Sequence, residues 1–219
     1  MVREKLRRND LETGTISFFF LPDANEPDPR SLIDVQRFYV VLLPDNKNVF
    51  RILTVGRKKL PSPDEPEQKH WGFVSAVAKP NEGDQFLAGA QAIGEGTYRL
   101  RRDGRDTMLR YVIEQPDDPG KSQVPFNIAS EAEYRLAIKN PEAGSPAGMG
   151  LDKTRKAVFP AELQKRFGSR KWLAADPPEF LDQEGAEFVL MSSGSTTASS
   201  DRGTQHKTGD QGQIETMEC

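Results

Sequence analysis

Alternation of apolar and polar positions is the dominant pattern along this chain, and it predicts β-strands. The segments "GTISFFF" (14–20) and "RFYVVLL" (37–43) are rich in aromatic and β-branched residues, which favour strands. In "TYRLRRDGRDTMLRYVIE" (97–114), apolar residues occupy alternate positions on both sides of an Asp-Gly pair, which is typical of a hairpin. An earlier hairpin is predicted where "PDNKN" (44–48) separates two apolar runs. The segments "EAEYRLAIKN" (131–140) and "EGAEFVLM" (184–191) predict two further strands.

Helical signals are fewer. The segment "SPDE" (62–65) has the spacing of a capping box, and it predicts a helix that ends before Pro80. A strand is the open alternative there, because polar and apolar positions also alternate through Trp71, Phe73, Ser75 and Val77. The segment "FPAELQKRFG" (159–168) predicts a short helix that ends at its glycine, and "GDQFLAGAQAI" (83–93) is a third candidate.

Runs of strands with occasional helices predict an α+β fold. We expect a mainly antiparallel β-sheet of about six or seven strands with two or three short helices. One domain is predicted over residues 14–191, after a flexible basic arm at 1–13. The Ser/Thr/Gly-rich residues 192–219 are predicted to be a disordered tail, because they contain too few apolar side chains to offset the entropy of ordering.

Composition limits the class of protein. The 219-residue chain has a net charge of −3 and a pI near 5.6, so a basic site would have to be local. The single cysteine, Cys219, excludes an internal disulfide. The N-terminal "MVREKLRRNDLE" lacks the apolar core of a secretory signal, and the apolar runs are too short to span a bilayer. These features predict a cytoplasmic protein with no membrane contact.

Candidate catalytic and metal-binding residues are scarce. His206 and Cys219 lie in the predicted tail, which leaves His70 alone for a nucleophile–base site or a zinc site. The segment "GSPAGMGLDKT" (144–154) misses the phosphate-loop spacing, because two residues separate its last glycine from the lysine. A carboxylate site for Mg²⁺ or Ca²⁺ stays open at "DANEPD" (23–28), which lacks the calcium-loop pattern. We predict no catalytic residue, no metal ligand and no cofactor.

Basic residues cluster on the two predicted hairpins. If these hairpins are neighbours in one sheet, their arginines form a positive strip on its exposed face. Such faces bind single-stranded nucleic acid when aromatic rings accompany the arginines, but exposed strands also use arginine simply for solubility, and both interpretations stay open. The candidate binding residues are Arg51, Arg57, Lys58, Lys59, Arg99, Arg101, Arg102, Arg105 and Arg110.

Two functions from different classes follow. The first is a non-catalytic binding or adaptor protein that uses a basic β-hairpin face to contact an acidic protein or single-stranded nucleic acid. The alternative is an enzyme that acts on a phosphorylated or other anionic small molecule through an arginine and carboxylate site. The scarcity of nucleophile motifs favours the binding protein.

Four segments resemble parts of conserved, uncharacterised bacterial proteins: "GTISFFF", "DVQRFYVVLLP", "FRILTVGRKKLP" and "ADPPEFLDQEGAEFVLM". The resemblance covers most of residues 14–191. It implies a bacterial and cytoplasmic origin, and it carries no activity and no functional residue.

Overall fold

The strands form one antiparallel sheet in the computed structural model, which describes residues 8–24, 31–116, 120, 122–144 and 150–193. Most of the predicted N-terminal arm and nearly all of the predicted tail lie outside these ranges. The described residues contain one α-helix, α1 (Ala161–Phe167), and the strands β1 (Asp10–Pro22), β2 (Val35–Pro44), β3 (Phe50–Val55), β4 (Lys69–Ala78), β5 (Gln91–Asp103), β6 (Asp106–Gln115), β7 (Glu131–Lys139), β8 (Trp172–Ala174) and β9 (Glu187–Ser192). They also contain five 3-10 segments: Leu32–Asp34, Pro80–Leu87, Val124–Phe126, Lys153–Arg155 and Pro178–Asp182.

Eight of the strands close into a barrel. Their order is β6-β5-β1-β2-β3-β4-β9-β7, and β6 pairs back onto β7 from Thr107 opposite Leu136 to Val112 opposite Glu131. The ninth strand, β8, pairs with β7 beyond the point where β6 begins. The predicted α+β fold is therefore wrong. The sheet buries its apolar face by closing on itself, so it needs no layer of helices.

The predicted helix that ends before Pro80 is also wrong, because β4 occupies Lys69–Ala78 and pairs with β3 and β9. The strand alternation prevails: His70 and Val74 are buried, whereas Trp71 is half-buried on the outer face. Gly72 has no room for a side chain, since a Cβ there would lie 2.6 Å from the carbonyl oxygen of Thr54. The third helix candidate, at 83–93, is not an α-helix: its first residues belong to the 3-10 segment Pro80–Leu87, and its last residues begin β5 at Gln91.

Both predicted hairpins are confirmed, as β2–β3 and β5–β6. Gly104 turns the second hairpin with a positive φ of 59°. The predicted short helix at 159–168 is confirmed as α1. β1 begins at Asp10, four residues before the predicted start of the domain, because its first residues pair with β5.

Aromatic side chains fill the barrel. Phe18 stacks on Phe38 at 6.3 Å between ring centroids and meets the edge of Tyr111 at 5.1 Å.

We call the end of the barrel that carries the β2–β3 and β5–β6 turns the hairpin end, and the opposite end the loop end. Phe167 of α1 and Phe180 of the 3-10 segment pack together at 5.3 Å and join the same core, which closes the hairpin end.

A smaller apolar cluster lies outside the barrel, on β2 and β3. Tyr39, Val41 and Ile52 are buried there, although their neighbours along the strands point into the barrel. The chain between β4 and β5 runs from the hairpin end to the loop end and covers this cluster. Gly83 lies so close to the Phe50 ring that a Cβ would approach it to 2.7 Å. The outer surface of β2 and β3 is thus an internal contact.

Candidate functional site

Arg51 was predicted to lie on the basic strip, and the structure corrects this. Its side chain is 0 % exposed and points into the barrel at the hairpin end. The guanidinium donates to both carboxylate oxygens of Glu12, at 2.6 and 3.1 Å, and its Nε donates to Asp182 at 2.6 Å. The alternation of β3 places Arg51 on the same inner face as Leu53 and Val55. Arg51 is therefore unavailable to a partner.

The ion-pair network around Arg51 extends to the surface through Lys47. The Lys47 ammonium donates to Glu179 at 2.7 Å and to Asp182 at 3.1 Å. The hydroxyl of Tyr98 donates to Glu12 at 2.7 Å from inside the barrel. Because Glu179 and Asp182 belong to the 3-10 segment Pro178–Asp182, the network fastens that segment to the barrel.

The pKa shifts of Lys47 and Glu179 favour the charged form of both groups. Burial would lower the pKa of Lys47, but the hydrogen bond from its ammonium to Glu179 and the charge of Asp182 outweigh it and raise that pKa. Burial would raise the pKa of Glu179, but the hydrogen bond and charge of Lys47 hold it below the ordinary value. Two cations thus face three carboxylates, those of Glu12, Glu179 and Asp182. The cationic charge in this network is already matched.

Arg99, Arg101 and Arg110 lie on the outer face of β5 and β6, as the alternation predicts, and each pairs with a carboxylate. Arg99 lies 3.1 Å from Asp10, Arg101 lies 3.2 Å from Glu133, and Arg110 lies 2.8 Å from Glu131. The neighbouring tyrosines, Tyr98 and Tyr111, point into the barrel and are buried. This face therefore lacks the uncompensated charge and the rings of these tyrosines that would make it a stacking platform.

The second predicted group, which we call the basic turn, comprises Arg57, Lys58 and Lys59. It connects β3 to β4 at the loop end, where Arg57 is exposed and Lys58 has a positive φ of 57°. The Lys58 ammonium donates to the Leu32 carbonyl at 3.4 Å. Within the described ranges, no carboxylate lies within salt-bridge distance of these three cations, so binding by them stays a prediction.

Arg102 and Arg105 lie at the β5–β6 turn, and Arg102 links this turn to the end of a basic segment that the sequence reasoning missed. Arg102 lies 2.6 Å from Asp176, which follows β8. The segment "KRFGSRKW" (165–172) places four cations within eight residues and ends in an exposed tryptophan. That combination of cations and an aromatic ring is the available signal in the sequence, and it begins inside the predicted helix at 159–168 rather than on a hairpin.

The C-terminus of α1 arranges these cations. Gly168 ends the helix with a φ of 53°, and the Arg170 guanidinium then folds back to donate to the carbonyl oxygens of Phe167, at 3.3 Å, and Arg166. Cations are favoured there because the last helical carbonyls carry a partial negative charge. Arg166 itself donates to the Asp176 carbonyl at 3.4 Å. Local backbone contacts thus hold two arginines beside β8.

We call the resulting surface the Trp172 patch. Trp172 is 38 % exposed. Asp176 is the one carboxylate among the described residues that pairs with its cations, since Asp103 and Asp106 pair with Arg101 and Arg135 instead. Its members besides Trp172 are all exposed cations: Arg102, Arg105, Arg166, Arg170 and Lys171.

Comparison with family models, with curated proteins and with solved structures finds no match for this chain. Among the described residues, no group of three or more histidine, cysteine or acidic side chains could hold a metal ion, and most of the carboxylate segment left open at 23–28 lies outside them. No helix in the described ranges has the length and apolar character needed to cross a bilayer.

Proposed function

We propose that the protein is a non-catalytic binding protein whose Trp172 patch contacts an acidic partner protein. The observation that carries the proposal is the charge imbalance at this patch, where five exposed cations accompany an exposed tryptophan and one described carboxylate, Asp176, pairs with Arg102. Tryptophan and arginine are the side chains most often responsible for the energy of protein contacts. In a chain of net charge −3, a local positive field attracts acidic surfaces selectively.

Nucleic acid is a less suitable partner for this geometry. Binding of single strands needs several aromatic rings beside a row of cations. The arginines on the outer faces of β5 and β6 are paired, and the tyrosines next to them, Tyr98 and Tyr111, lie inside the barrel. The Trp172 patch offers one exposed ring, which suits an anchor in a protein contact better than a stacking surface.

An enzyme acting on an anionic small molecule would need an uncompensated cation near its acids. The best arginine and carboxylate cluster is the one around Arg51, and there Glu12 and Asp182 already occupy the guanidinium. A substrate phosphate would have to displace a buried carboxylate, which is costly in a site of low dielectric constant. We therefore prefer the binding function.

The proposal is tested with two variants of equal charge change. The patch variant carries Arg105→Glu, Arg170→Glu and Lys171→Glu, and the turn variant carries Arg57→Glu, Lys58→Glu and Lys59→Glu. The probe is a fluorescent, capped peptide of about eight residues that alternates Val and Glu, and we call it the Val-Glu peptide. Its affinity is measured by fluorescence anisotropy across a salt series.

We expect the patch variant to bind the Val-Glu peptide at least about tenfold more weakly than the parent, and the turn variant to bind it like the parent. Equal losses in both variants would show unspecific charge attraction, and no loss in the patch variant would remove the patch from the proposal. Single-stranded DNA of about 15 nucleotides serves as a second probe. Tighter binding of DNA than of the peptide would reassign the patch to nucleic acid.

A further inference from the structure

We infer that the acidic partner binds as an extended segment, which adds a strand to the free edge of β8. This inference rests on the proposed function, which supplies the acidic character of the partner. It adds that the partner is recognised as an extended strand. Strand addition gives affinity through backbone hydrogen bonds and leaves specificity to the neighbouring side chains.

β8 offers an open edge because the barrel closes beside it. β6 covers one edge of β7 from Glu131 to Leu136, and β8 covers the same edge from Ala137 to Lys139. Among the described residues, β8 has β7 as its single neighbour and ends the sheet. The eight barrel strands have neighbours on both sides, so β8 is the one strand of the described chain that can accept another.

The hydrogen bonds that flank β8 show which backbone groups face this edge. The Asn140 N–H donates to the Lys171 carbonyl at 2.9 Å, and the Ala175 N–H donates to the Leu136 carbonyl at 3.3 Å. Residues alternate in an antiparallel ladder, so 171, 173 and 175 direct their backbone groups to β7, and Trp172 directs its N–H and carbonyl away from it.

Fewer backbone groups are available for pairing at the C-terminal end of the β8 edge. The Ala174 N–H also points away from β7, but the Ala174 carbonyl accepts a hydrogen bond from the Asp176 N–H at 2.7 Å. An added strand would therefore pair mainly with Trp172 and with the N–H of Ala174. Leu173 packs against the barrel core, so the Trp172 side chain lies on the opposite, outer face, where it can contact a side chain of the added strand.

Charge decides which segment fits the edge. Basic residues on a short edge strand discourage pairing with a second copy of the same chain, because two copies would bring Arg170 and Lys171 against their equivalents. The same cations attract an acidic strand. An extended segment with acidic residues and β-branched or aromatic residues at alternate positions matches both the charge and the exposed ring of Trp172.

Backbone methylation of the Val-Glu peptide separates strand addition from plain charge attraction. One methylated peptide carries N-methyl groups on its valines and the other carries them on its glutamates, so the two have equal charge. In an added strand, alternate N–H groups point to β8, so we expect one of the two to bind at least about tenfold more weakly and the other to bind like the parent peptide.

Amide hydrogen exchange of the protein is the second readout. We expect the Trp172 and Ala174 amides to exchange more slowly when the peptide is bound, and the Leu173 amide, which already faces β7, to change less. A peptide that alternates Val and Lys is the charge control and should not bind.

The outcomes distinguish this inference from the proposed function. Equal binding by the two methylated peptides, with no new protection of the Trp172 amide, would overturn strand addition while the acidic-partner function stands. No binding by the unmodified Val-Glu peptide at low salt would overturn both.

Discussion

The hairpin end of the barrel contains two groups of cations that differ in burial and in charge balance. Arg51 is fully buried in a network in which two cations, Arg51 and Lys47, face three carboxylates. The Trp172 patch has five exposed cations, and Asp176 is the described carboxylate that pairs with them. The cations of the Arg51 network thus stabilise the fold, whereas the exposed cations of the patch remain available to contact a partner.

The difference shows that charge balance and burial decide what an arginine does. A buried guanidinium needs its carboxylates, because removing one partner leaves an uncompensated charge in a medium of low dielectric constant. An exposed guanidinium is solvated by water, so its ion pair adds little to stability and its charge can act on a partner. Arg51 should therefore control folding, and the patch should control binding.

The largest expected effect follows from breaking the buried pair. Arg51→Met leaves Glu12 without its guanidinium partner, and we expect the free energy of unfolding to fall by about 3–5 kcal/mol. Urea unfolding followed by circular dichroism measures this change. In the patch, Arg105→Met should change the same free energy by less than about 0.5 kcal/mol. Equal losses of unfolding free energy in Arg51→Met and Arg105→Met would contradict the claim that the buried ion pair stabilises the fold and the exposed patch does not.

The double variant Glu12→Leu with Arg51→Met is the control for that prediction. Replacing both charged partners by apolar side chains removes the uncompensated charge, so we expect the loss to shrink to within about 1 kcal/mol of the parent. If the losses of unfolding free energy caused by Glu12→Leu alone and Arg51→Met alone simply add in the double variant, Arg51 acts through packing rather than through its charge.

A smaller effect concerns acidification. The pKa of Glu179 is held below its ordinary value of 4.5 in the folded protein, so its contact with Lys47 contributes fully above pH 4.5 and is lost as the pH falls through the lower folded value. In Lys47→Met this contribution is missing, and we expect stability to fall less steeply than in the parent as the pH is lowered below 4.5.

The matched control for acidification is Lys171→Met in the patch. Because Lys171 has no salt bridge within the described residues, we expect its substitution to leave the pH dependence of unfolding as in the parent. Parallel curves for the parent and Lys47→Met would mean that the Glu179 contact does not contribute to stability.

Short-range patterns in the sequence predicted much of the secondary structure. The alternation in β5 and β6 placed Tyr98 and Leu100 on one face and Arg99 on the other, and the structure has these residues inside and outside the barrel. The same alternation was present at Trp71, but the capping-box spacing led to the prediction of a helix. The local helix-start signal does not determine the structure here, because β4 pairs with a strand on each side. Those pairings cannot be read from the local sequence.

Barrel closure and the candidate site depend on contacts between distant residues. The pairing of β6 with β7 joins segments separated by a 15-residue connection, and no single segment encodes it. The Trp172 patch needs β8 to pair with β7, which brings the segment 165–172 to the β5–β6 turn. The burial of Arg51 likewise depends on Asp182, which is 131 residues away. These are properties of the topology rather than of any local pattern.

The two tryptophans allow one direct measurement of which basic region binds. Trp71 lies beside Gly56 at the start of the basic turn, and Trp172 is the exposed ring of the patch. The indole N–H signals of ¹⁵N-labelled protein can be followed by NMR while the Val-Glu peptide is added. We expect the Trp172 signal to shift with saturation while the Trp71 signal stays in place. A shift of Trp71 alone, or no shift of Trp172 at saturating peptide, would contradict the proposal that the Trp172 patch is the binding surface.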